Sequence, residues 1–387
     1  MSGDSVPPGA RDVTTASIDG GSARIMLVTA RPGTSPPGGR EMLGRLNRGI
    51  LQELFGERLV VMELEKPEQG GQSLTLALRG HIDGLTPAVI AAVLRDIERE
   101  RVGLVFLDGS NLGALAAAIK AEAPGVSVCT FFHNVEARFF WGSLKQRRSP
   151  RALAVLVANY LAERKAVRHS DTLIALTARD SRKLKRLYGR AATHISAMAI
   201  DEPVATRGIA AGEGPPYALF VGGTFYANRA GIAWFAEHVA PRTGMKTCVV
   251  GHGFEAYRQG LESPGKVEVI GGVDDLRQWY RGAQVVIAPI FDGSGMKTKV
   301  AEALMYGKKI VGTPEAFAGY EAVAAQAGWQ CRTADEFVAA LAEAEALDLP
   351  GFDPALRALF DAQFSRDAAR TRMAAILGLP VMERAVP

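Results

Sequence analysis

One stretch of the sequence, residues 285–313, constrains the fold more than any other. It reads VVIAPIFDGSGMKTKVAEALMYGKKIVGT, and its first residues, 285–289, form an apolar, β-branched run that is typical of a buried strand. A turn with two glycines follows. Residues 297–306 then carry apolar side chains at helical spacing, and Gly307 is placed to end this helix in a left-handed conformation. Because another apolar run comes next, the stretch predicts a strand, a glycine loop, a helix and a second strand.

The start of this predicted helix is suited to binding an anion. Backbone N–H groups of a first helical turn have no partner within the helix, and the helix dipole adds partial positive charge there. Glycines let a phosphate approach the backbone closely, and Lys297 and Lys299 are expected to add two full charges beside it. Glu302 lies further along the helix, where its carboxylate can accept hydrogen bonds from a sugar diol. A plain crossover with solvated lysines is the alternative.

These residues resemble the donor-binding segment of the GT-B glycosyltransferases, specifically those of family 4 (glycosyl transferases group 1). That family has two glutamates eight positions apart. Glu302 matches the second, which holds the nucleotide ribose, whereas the first falls on Ser294. Many members instead have a glycine, a small residue, a glycine and two later basic residues, as this chain does. The resemblance implies that a nucleotide-sugar binds here, through Gly293, Ser294, Gly295, Met296, Lys297, Thr298, Lys299 and Glu302.

Composition indicates a globular protein of two domains. The chain has 387 residues, of which 48% are hydrophobic and 22% charged, enough for a large core. A net charge of +4 is too small to indicate a nucleic-acid partner. The three cysteines are widely spaced, so they predict neither a disulfide framework nor a zinc site, and a reducing cytoplasm is the simplest setting. No apolar run approaches the ~20 residues of a membrane helix.

Strand and helix signals alternate through the first half of the chain, after a polar segment, 1–22, that is predicted to be a disordered tail. Strands are predicted at 24–30, 59–64, 102–107, 126–132 and 172–176. Helices are predicted after the Gly/Pro loop 31–40 as far as about 55, and at 87–99, 112–123, 150–168 and 178–188. Such alternation predicts a parallel sheet that is covered on both faces and binds ligands beyond the carboxyl ends of its strands.

His133 follows one of these strands, at such an end. By resemblance to family 4 it faces the donor sugar, and together with Lys297 and Glu302 it makes up the predicted catalytic set. Gly38 and Gly39 match a glycine pair that faces the cleft in the family. A structural histidine and a simple turn are the alternatives. Glu136 and Arg138 are weaker candidates for the cleft.

Residues 139–151 combine aromatic with basic side chains. The aromatics are Phe139, Phe140 and Trp141, and the basic residues are Lys145, Arg147, Arg148 and Arg151. Basic residues beside exposed aromatics suit an anionic membrane surface. A buried aromatic cluster beside a solvated loop is the alternative, and both interpretations stay open.

Domain boundaries follow from where the periodicity stops. Residues 201–216 lose it entirely and form the predicted linker. An acceptor-binding unit, 23–200, is therefore expected to precede a nucleotide-sugar-binding unit, 217–353. The apolar-periodic segment 354–377, within a C-terminal region 354–387, resembles the terminal helices that pack back on the first unit.

Further site residues of the second unit follow from the resemblance. Gly222, Gly223, Asn228, Phe317 and Gly319 are expected to line the cleft. Val273, after a strand at 267–271, is expected to contact the nucleobase through its backbone. Many family members clamp the diphosphate with an arginine where this chain has Gly223. That role is therefore expected to fall to the lysines of the glycine loop.

The sequence thus predicts an α/β protein of the GT-B fold, with two Rossmann-like domains facing each other across a cleft. The resemblance implies a retaining glycosyltransferase of bacterial polysaccharide or glycoconjugate synthesis. Its substrates would be a UDP- or GDP-linked sugar and a glycan, glycolipid or other acceptor, in the cytoplasm or at the inner face of the membrane. No Asp-x-Asp occurs and the six histidines lack metal spacing, so neither metal nor cofactor is expected. A nucleotide-sugar 2-epimerase of the same fold and a binding module without turnover are the alternatives.

Overall fold

The computed structural model describes residues 23–33, 38–65, 74–202, 215–293, 295–347, 349 and 351–380. The predicted tail, most of the predicted linker and Ser294 lie outside these ranges. The strands are β1 (Arg24–Ala30), β2 (Leu59–Leu64), β3 (Val102–Leu107), β4 (Ser127–Phe132), β5 (Thr172–Ala175), β6 (His194–Ile195), β7 (Tyr217–Val221), β8 (Lys246–Val250), β9 (Val267–Gly271), β10 (Ala283–Ala288), β11 (Ile310–Gly312) and β12 (Gly328–Gln330).

The helices alternate with these strands over most of the chain. They are α1 (Gly39–Phe55), α2 (Leu74–Leu78), α3 (Pro87–Arg99), α4 (Gly113–Glu122), α5 (Glu136–Arg147), α6 (Pro150–His169), α7 (Ala178–Tyr188), α8 (Tyr226–His238), α9 (Arg258–Leu261), α10 (Arg277–Gly282), α11 (Thr298–Met305), α12 (Ala324–Ala327), α13 (Ala334–Ala346), α14 (Pro354–Gln363) and α15 (Arg366–Ile376).

The strands form two parallel sheets, one in each half of the chain. The first has the order β2-β1-β3-β4-β5-β6 and the second β12-β11-β10-β7-β8-β9. Their apolar strands are buried on both faces, as in β1, where Ile25 to Val28 are at most 1% exposed. Because each crossover returns a strand in the same direction, the carboxyl ends of one sheet lie along one edge. The predicted architecture of two Rossmann-like units is confirmed.

The aromatic and basic segment at 139–151 is largely helical. Helix α5 covers Glu136–Arg147, so the interpretation as a loop was wrong. Phe139 and Phe140 are half-buried, whereas Trp141 is 47% exposed. The aromatics therefore do not form one buried cluster.

Helices α14 and α15 connect the two units. The predicted segment 354–377 is broken near Ser365, whose side chain caps α15 by accepting from the N–H of Ala368. Helix α14 packs on α11 and α15 packs on α1, so the predicted return to the first unit is confirmed. Arg366 supports this packing, since it pairs with Glu53 of α1 at 2.9 Å.

Within the described ranges, no helix combines the length and the apolar character that crossing a membrane requires.

Candidate functional site

The carboxyl ends of the two sheets face each other across a cleft. The loop after β4 meets the glycine loop after β10, because a Cβ built on Gly295 would lie 2.5 Å from the Oδ1 of Asn134. Gly295 has φ +66°, so the close approach and the backbone both require glycine. Gly39, at the start of α1, lies against Thr298 at the start of α11. The predicted glycines of both units therefore lie at one junction.

The start of α11 lies at this junction. Lys297 is the N-cap, and its side chain makes no hydrogen bond that caps the helix. Gly293, with φ +146°, turns the preceding loop. The predicted anion site thus consists of a glycine turn followed by the start of a helix, an arrangement that commonly binds phosphate.

Lys297 already has carboxylate and carbonyl partners. Its Nζ donates to the Oε1 of Glu315 at 3.1 Å and to the carbonyl oxygen of Gly295 at 3.0 Å. Arg179 of α7, in the first unit, donates to both carboxylate oxygens of Glu315, at 2.6 and 3.1 Å. Burial lowers the pKa of Lys297, although the charge of Glu315 acts against this. One carboxylate therefore holds a cation from each side of the cleft.

Lys299 is buried beneath the loop that follows β7. Its Nζ donates to the Oδ1 of Asn228 at 2.9 Å and lies 4.2 Å from the ring centroid of Phe220. Gly222, with φ +157°, comes so close that a Cβ there would lie 3.3 Å from this Nζ. Lys299 thus reaches the loop in which the family arginine is missing and Gly223 stands.

Burial lowers the pKa of Lys299 to about 7. Burial on helix α11 thus lowers the pKa of both lysines, so each holds its proton less tightly than a solvated lysine does. A neighbouring phosphate would raise these pKa values, since an anion favours the protonated amine.

Glu302 lies on α11, beside the residue that was expected to contact the base. Glu302 and Val273 line one cavity of about 430 Å³. The hydroxyl of Tyr280, which is fully buried, donates to the Oε2 of Glu302 at 2.7 Å. Burial raises the pKa of Glu302, and the Tyr280 bond and the charge of Lys299 oppose that rise. The carboxylate is thus fixed in direction, with its remaining lone pairs available to a ribose.

His133 is held by an aspartate that the sequence analysis did not select. Its Nε2 lies 3.0 Å from the Oδ1 of Asp108, and both side chains are almost fully buried. Thr29 and Asn47 also donate to this carboxylate, each at 2.9 Å. Burial alone would raise the pKa of Asp108, but the bonds and the charge of His133 bring it below its ordinary range. The Nδ1 of His133 has no hydrogen-bond partner within the described chain.

A cavity of about 460 Å³ opens beside this pair in the first unit. His133, Asp108 and Gly38 line it, with four arginines from α1 and the end of β1. These are Arg31, Arg40, Arg45 and Arg48. Each has an acidic side chain within 4 Å, and the acids are Glu65, Asp83, Glu41 and Glu63. The cavity therefore combines polar groups of both signs.

Buried Glu163 fixes the start of α5, directly after His133. Its carboxylate accepts from the backbone N–H groups of Glu136 and Ala137 and from the hydroxyl of Tyr188. Burial raises the pKa of Glu163 to about 7. Glu136 is itself buried, whereas Arg138 points across the cleft to Asp292, at 3.6 Å. Of these two weaker candidates, only Arg138 makes a contact between the units.

Other predicted residues differ in their place. Met296 packs against Gly319 and accepts the N–H of Met198 on its sulfur, so it joins the two units. Phe317 is 1% exposed and belongs to the core, which corrects its predicted place in the cleft. Ser294 lies outside the described residues.

Four residues of the site were missed by the sequence analysis: Asp108, Arg179, Tyr280 and Glu315. Asp108 had a usable signal, since it directly follows β3 at the same sheet edge as His133. The other three have no comparable signal in the sequence. Arg179 and Glu315 are 136 positions apart, and Tyr280 cannot be told from the other aromatic residues of the core.

A metal centre has no visible candidate in the described ranges: no group of three or more His, Cys, Asp or Glu side chains is placed to hold an ion.

Comparison with known proteins identifies relatives of the fold. The family model described as glycosyl transferases group 1 matches residues 215–346. None of the curated proteins compared with the chain matches it. Among solved structures, sucrose-phosphate synthase from Thermosynechococcus elongatus is 14% identical with a TM-score of 0.67. The match covers 91% of this chain and 98% of that one.

Two further structures are similar over nearly their whole length. Anabaena HepE in complex with UDP is 13% identical with a TM-score of 0.64, covering 92% of this chain and 99% of that one. HepE has also been solved with UDP-glucose. The lipopolysaccharide outer core galactosyltransferase WaaB is 12% identical with a TM-score of 0.62, covering 92% and 99%. The predicted GT-B fold is thereby confirmed.

The depressed pKa of Lys299 makes a prediction about stability. Between pH 7 and 10.5 the unfolded chain binds the proton that the folded chain releases, so this lysine destabilises the fold most at or below pH 7. We expect Lys299→Met to raise the free energy of unfolding by roughly 2–3 kcal/mol at pH 7, after allowing for its lost contacts, and by much less at pH 10. Urea unfolding at both pH values measures this.

The matched control is Lys185→Met, at an exposed lysine of α7. It should change the free energy of unfolding by less than about 0.5 kcal/mol at either pH. A Lys299→Met variant that is destabilised at pH 7 would contradict the prediction.

Proposed function

We propose that this GT-B chain, whose second unit matches the glycosyl transferases of group 1, transfers a sugar from a nucleotide-sugar to an acceptor hydroxyl. One observation carries the proposal. The loop that leads into α11 approaches His133, since a Cβ on Gly295 would lie 3.3 Å from the His133 carbonyl oxygen, and the cavity of Glu302 and Val273 lies beside the same helix. A diphosphate, a ribose and a sugar thus each have a place in the order in which a nucleotide-sugar presents them.

The donor is bound mainly by the second unit in this proposal. The diphosphate takes the N–H groups at the start of α11, with Lys297 and Lys299 beneath it, and Glu302 accepts from the ribose. As charge develops on the leaving diphosphate, these fixed donors stabilise it, which is the principal source of catalysis. HepE binds UDP-glucose with the same fold, so a UDP- or GDP-linked sugar is the donor class to screen first.

The acceptor is bound by the first unit. The cavity beside His133 pairs arginines with carboxylates, and such alternating donors and acceptors suit the hydroxyl groups of a glycan. A lipid-linked glycan is included in this class, because WaaB, which has a similar fold, is a lipopolysaccharide outer core galactosyltransferase. Synthesis of a bacterial polysaccharide or glycoconjugate, with retention of configuration and in the cytoplasm, is the wider context that we propose.

A 2-epimerase and a binding module compete with this function. An epimerase needs acid–base carboxylates at the sugar, and Asp108 is already occupied by three donors. A thermal-shift screen of nucleotide-sugars identifies the donor, because a ligand that binds the folded state raises its stability. Nucleotide release is then measured with and without candidate acceptors. Acceptor-dependent release supports the transferase, an acceptor-independent change of configuration at C2 of the sugar supports the epimerase, and binding without either supports the module.

Metal independence is part of the proposal. The charges of α11 and its lysines take the place that a divalent ion has in other transferases. Transfer should therefore keep its rate in excess EDTA. A loss that Mg²⁺ or Mn²⁺ restores would contradict this role of α11.

The Glu302–Tyr280 pair makes a prediction about the ribose. Glu302→Ala should weaken nucleotide binding by roughly 1.5–3 kcal/mol, the scale of a hydrogen bond to a charged group. Tyr280→Phe should cost roughly 0.5–1.5 kcal/mol, because it frees the carboxylate to turn. Both variants should discriminate less between a nucleotide and its 2′-deoxy form. Calorimetry measures all four affinities.

Tyr217→Phe is the matched control for the tyrosine. Its hydroxyl donates to the carbonyl of Trp279, outside the cavity, and its loss should leave nucleotide affinity unchanged. Unchanged affinity in Glu302→Ala would remove Glu302 from the site.

His133 is expected to act on turnover. His133→Ala should stay folded, bind nucleotide almost normally and lose at least ~100-fold in transfer rate, since the lost contact is made mainly in the transition state. Asn47→Ala is the control, because it removes another hydrogen-bond donor to Asp108 and leaves the imidazole of His133 in place. Comparing the two variants separates an effect on the stability of this cluster from an effect on the transfer rate. Normal turnover in His133→Ala would place the sugar elsewhere.

A further inference from the structure

The outer surface of α5, α6 and α7 carries an apolar groove of about 410 Å³. Trp141, Leu156, Val157, Tyr160 and Leu187 line most of it. Trp141 and Leu187 are 47% and 40% exposed, and Leu153, one turn before Val157 on α6, is 50% exposed. Large apolar side chains that are exposed together usually mark a binding surface. We call this groove and Leu153 the α5–α7 face.

Basic side chains surround this face. Lys145 extends from α5 over the ring of Trp141, with its Nζ 6.0 Å from the centroid. Arg148 and Arg151 follow at the turn between α5 and α6, and Arg164 continues the stripe of Val157 and Tyr160. All four are exposed, and within the described residues none forms a salt bridge. Their charge is therefore free to meet an external anion.

The charge of the chain is concentrated in this region. Residues 137–190 contain 14 Lys and Arg against 3 Asp and Glu, whereas the rest of the chain has 31 against 38. Two of the three acids, Glu163 and Asp180, are buried, and the third, Asp171, pairs with Lys120. A chain of nearly neutral total charge thus concentrates its excess of basic side chains in the segment that contains α5, α6 and α7.

We propose that the α5–α7 face binds an anionic lipid bilayer. The apolar groove lies flanked by long basic side chains, which is the arrangement of an interfacial surface: the apolar part enters the headgroup region and the cations meet the lipid phosphates. The ammonium of Lys145 lies over the ring of Trp141, so a cation and an aromatic ring are presented together at this face. A nucleic acid would bind the basic side chains but would leave the apolar groove uncovered. A protein partner would not require all the charged residues around the groove to be basic.

The α5–α7 face lies next to the cleft, so a contact with the bilayer would bring the cleft close to the membrane. On α5, Arg138 contacts Asp292 across the cleft, one turn from Trp141, and Phe139 stacks on Phe225 of the second unit. The cleft therefore opens beside the proposed membrane surface. This step rests on the proposed function: it narrows the acceptor to one that is anchored in the bilayer.

Vesicle flotation tests the bilayer contact without any enzyme assay. The full chain should float with phosphatidylglycerol vesicles and not with phosphatidylcholine vesicles at 0.1 M salt, and 1 M salt should reverse it. Lys145→Glu with Arg148→Glu should lower the partition coefficient at least ~100-fold. Trp141→Ser with Leu153→Ser should lower it about tenfold or more.

Matched controls lie on the second unit. Arg332→Glu reverses an exposed charge there, and Leu347→Ser removes an apolar side chain that is 43% exposed. These should float like the wild type. No flotation, equal flotation on both lipids, or equal loss in the controls would overturn the proposal. If the wild type does not float but forms concentration-dependent dimers, and Trp141→Ser abolishes these dimers, the face binds a second copy of the chain instead.

The nucleotide site is measured on the same variants. Calorimetry should show wild-type nucleotide affinity for the variants of the face. If the wild type floats but binds no nucleotide, the proposed function fails and the membrane face stands. If it binds nucleotide and acceptor in solution but never floats, only the membrane face fails.

Discussion

The relative placement of the two sheets depends on a buried guanidinium. Arg357 of α14 donates to both carboxylate oxygens of Glu202, at 2.8 and 2.6 Å, and to Asp361 on the next turn. Glu202 lies just after the last strand of the first unit, and α14 packs on α11 of the second. One side chain thus ties the end of one unit to the helix that forms the anion site of the other. Removing Glu202 would leave the guanidinium with Asp361, which lies on its own helix, so this tie between the units would be lost.

The site combines several features that each lower the stability of the protein when no ligand is bound. Lysines 297 and 299 are buried with lowered pKa values, and the start of α11 has no cap. Each of these costs stability in the empty protein, and each is relieved by a bound anion. A site that is optimised for binding rather than for stability is expected to contain such unfavourable features.

Patterns within one element were readable from the sequence, and partners between elements were not. The sequence predicted the strands from the apolar runs of β1 and β10, and helix α11 from the spacing of Val300 and Leu304. These predictions, and the α/β fold class with them, were possible because burial of a strand or of a helix face shows in nearby residues of the chain. The pairing of Asp108 with His133 and of Tyr280 with Glu302 depends on how elements pack. Burial lowers the pKa of Lys299, and two of the residues that contact its ammonium, Phe220 and Asn228, lie far from it in the chain. Side chains from distant positions therefore decide the chemistry that a local motif only permits.

The carboxylate of Glu315 is shared between Arg179 of the first unit and Lys297 of the second. A ligand anion at Lys297 changes the field that this carboxylate and Arg179 experience, so it changes the free energy that holds the units together. Thermodynamic reciprocity then requires that any motion separating the units alter the affinity for the anion by the same factor. For the proposed phosphate position, occupancy and any separation of the units would consequently be coupled through Glu315.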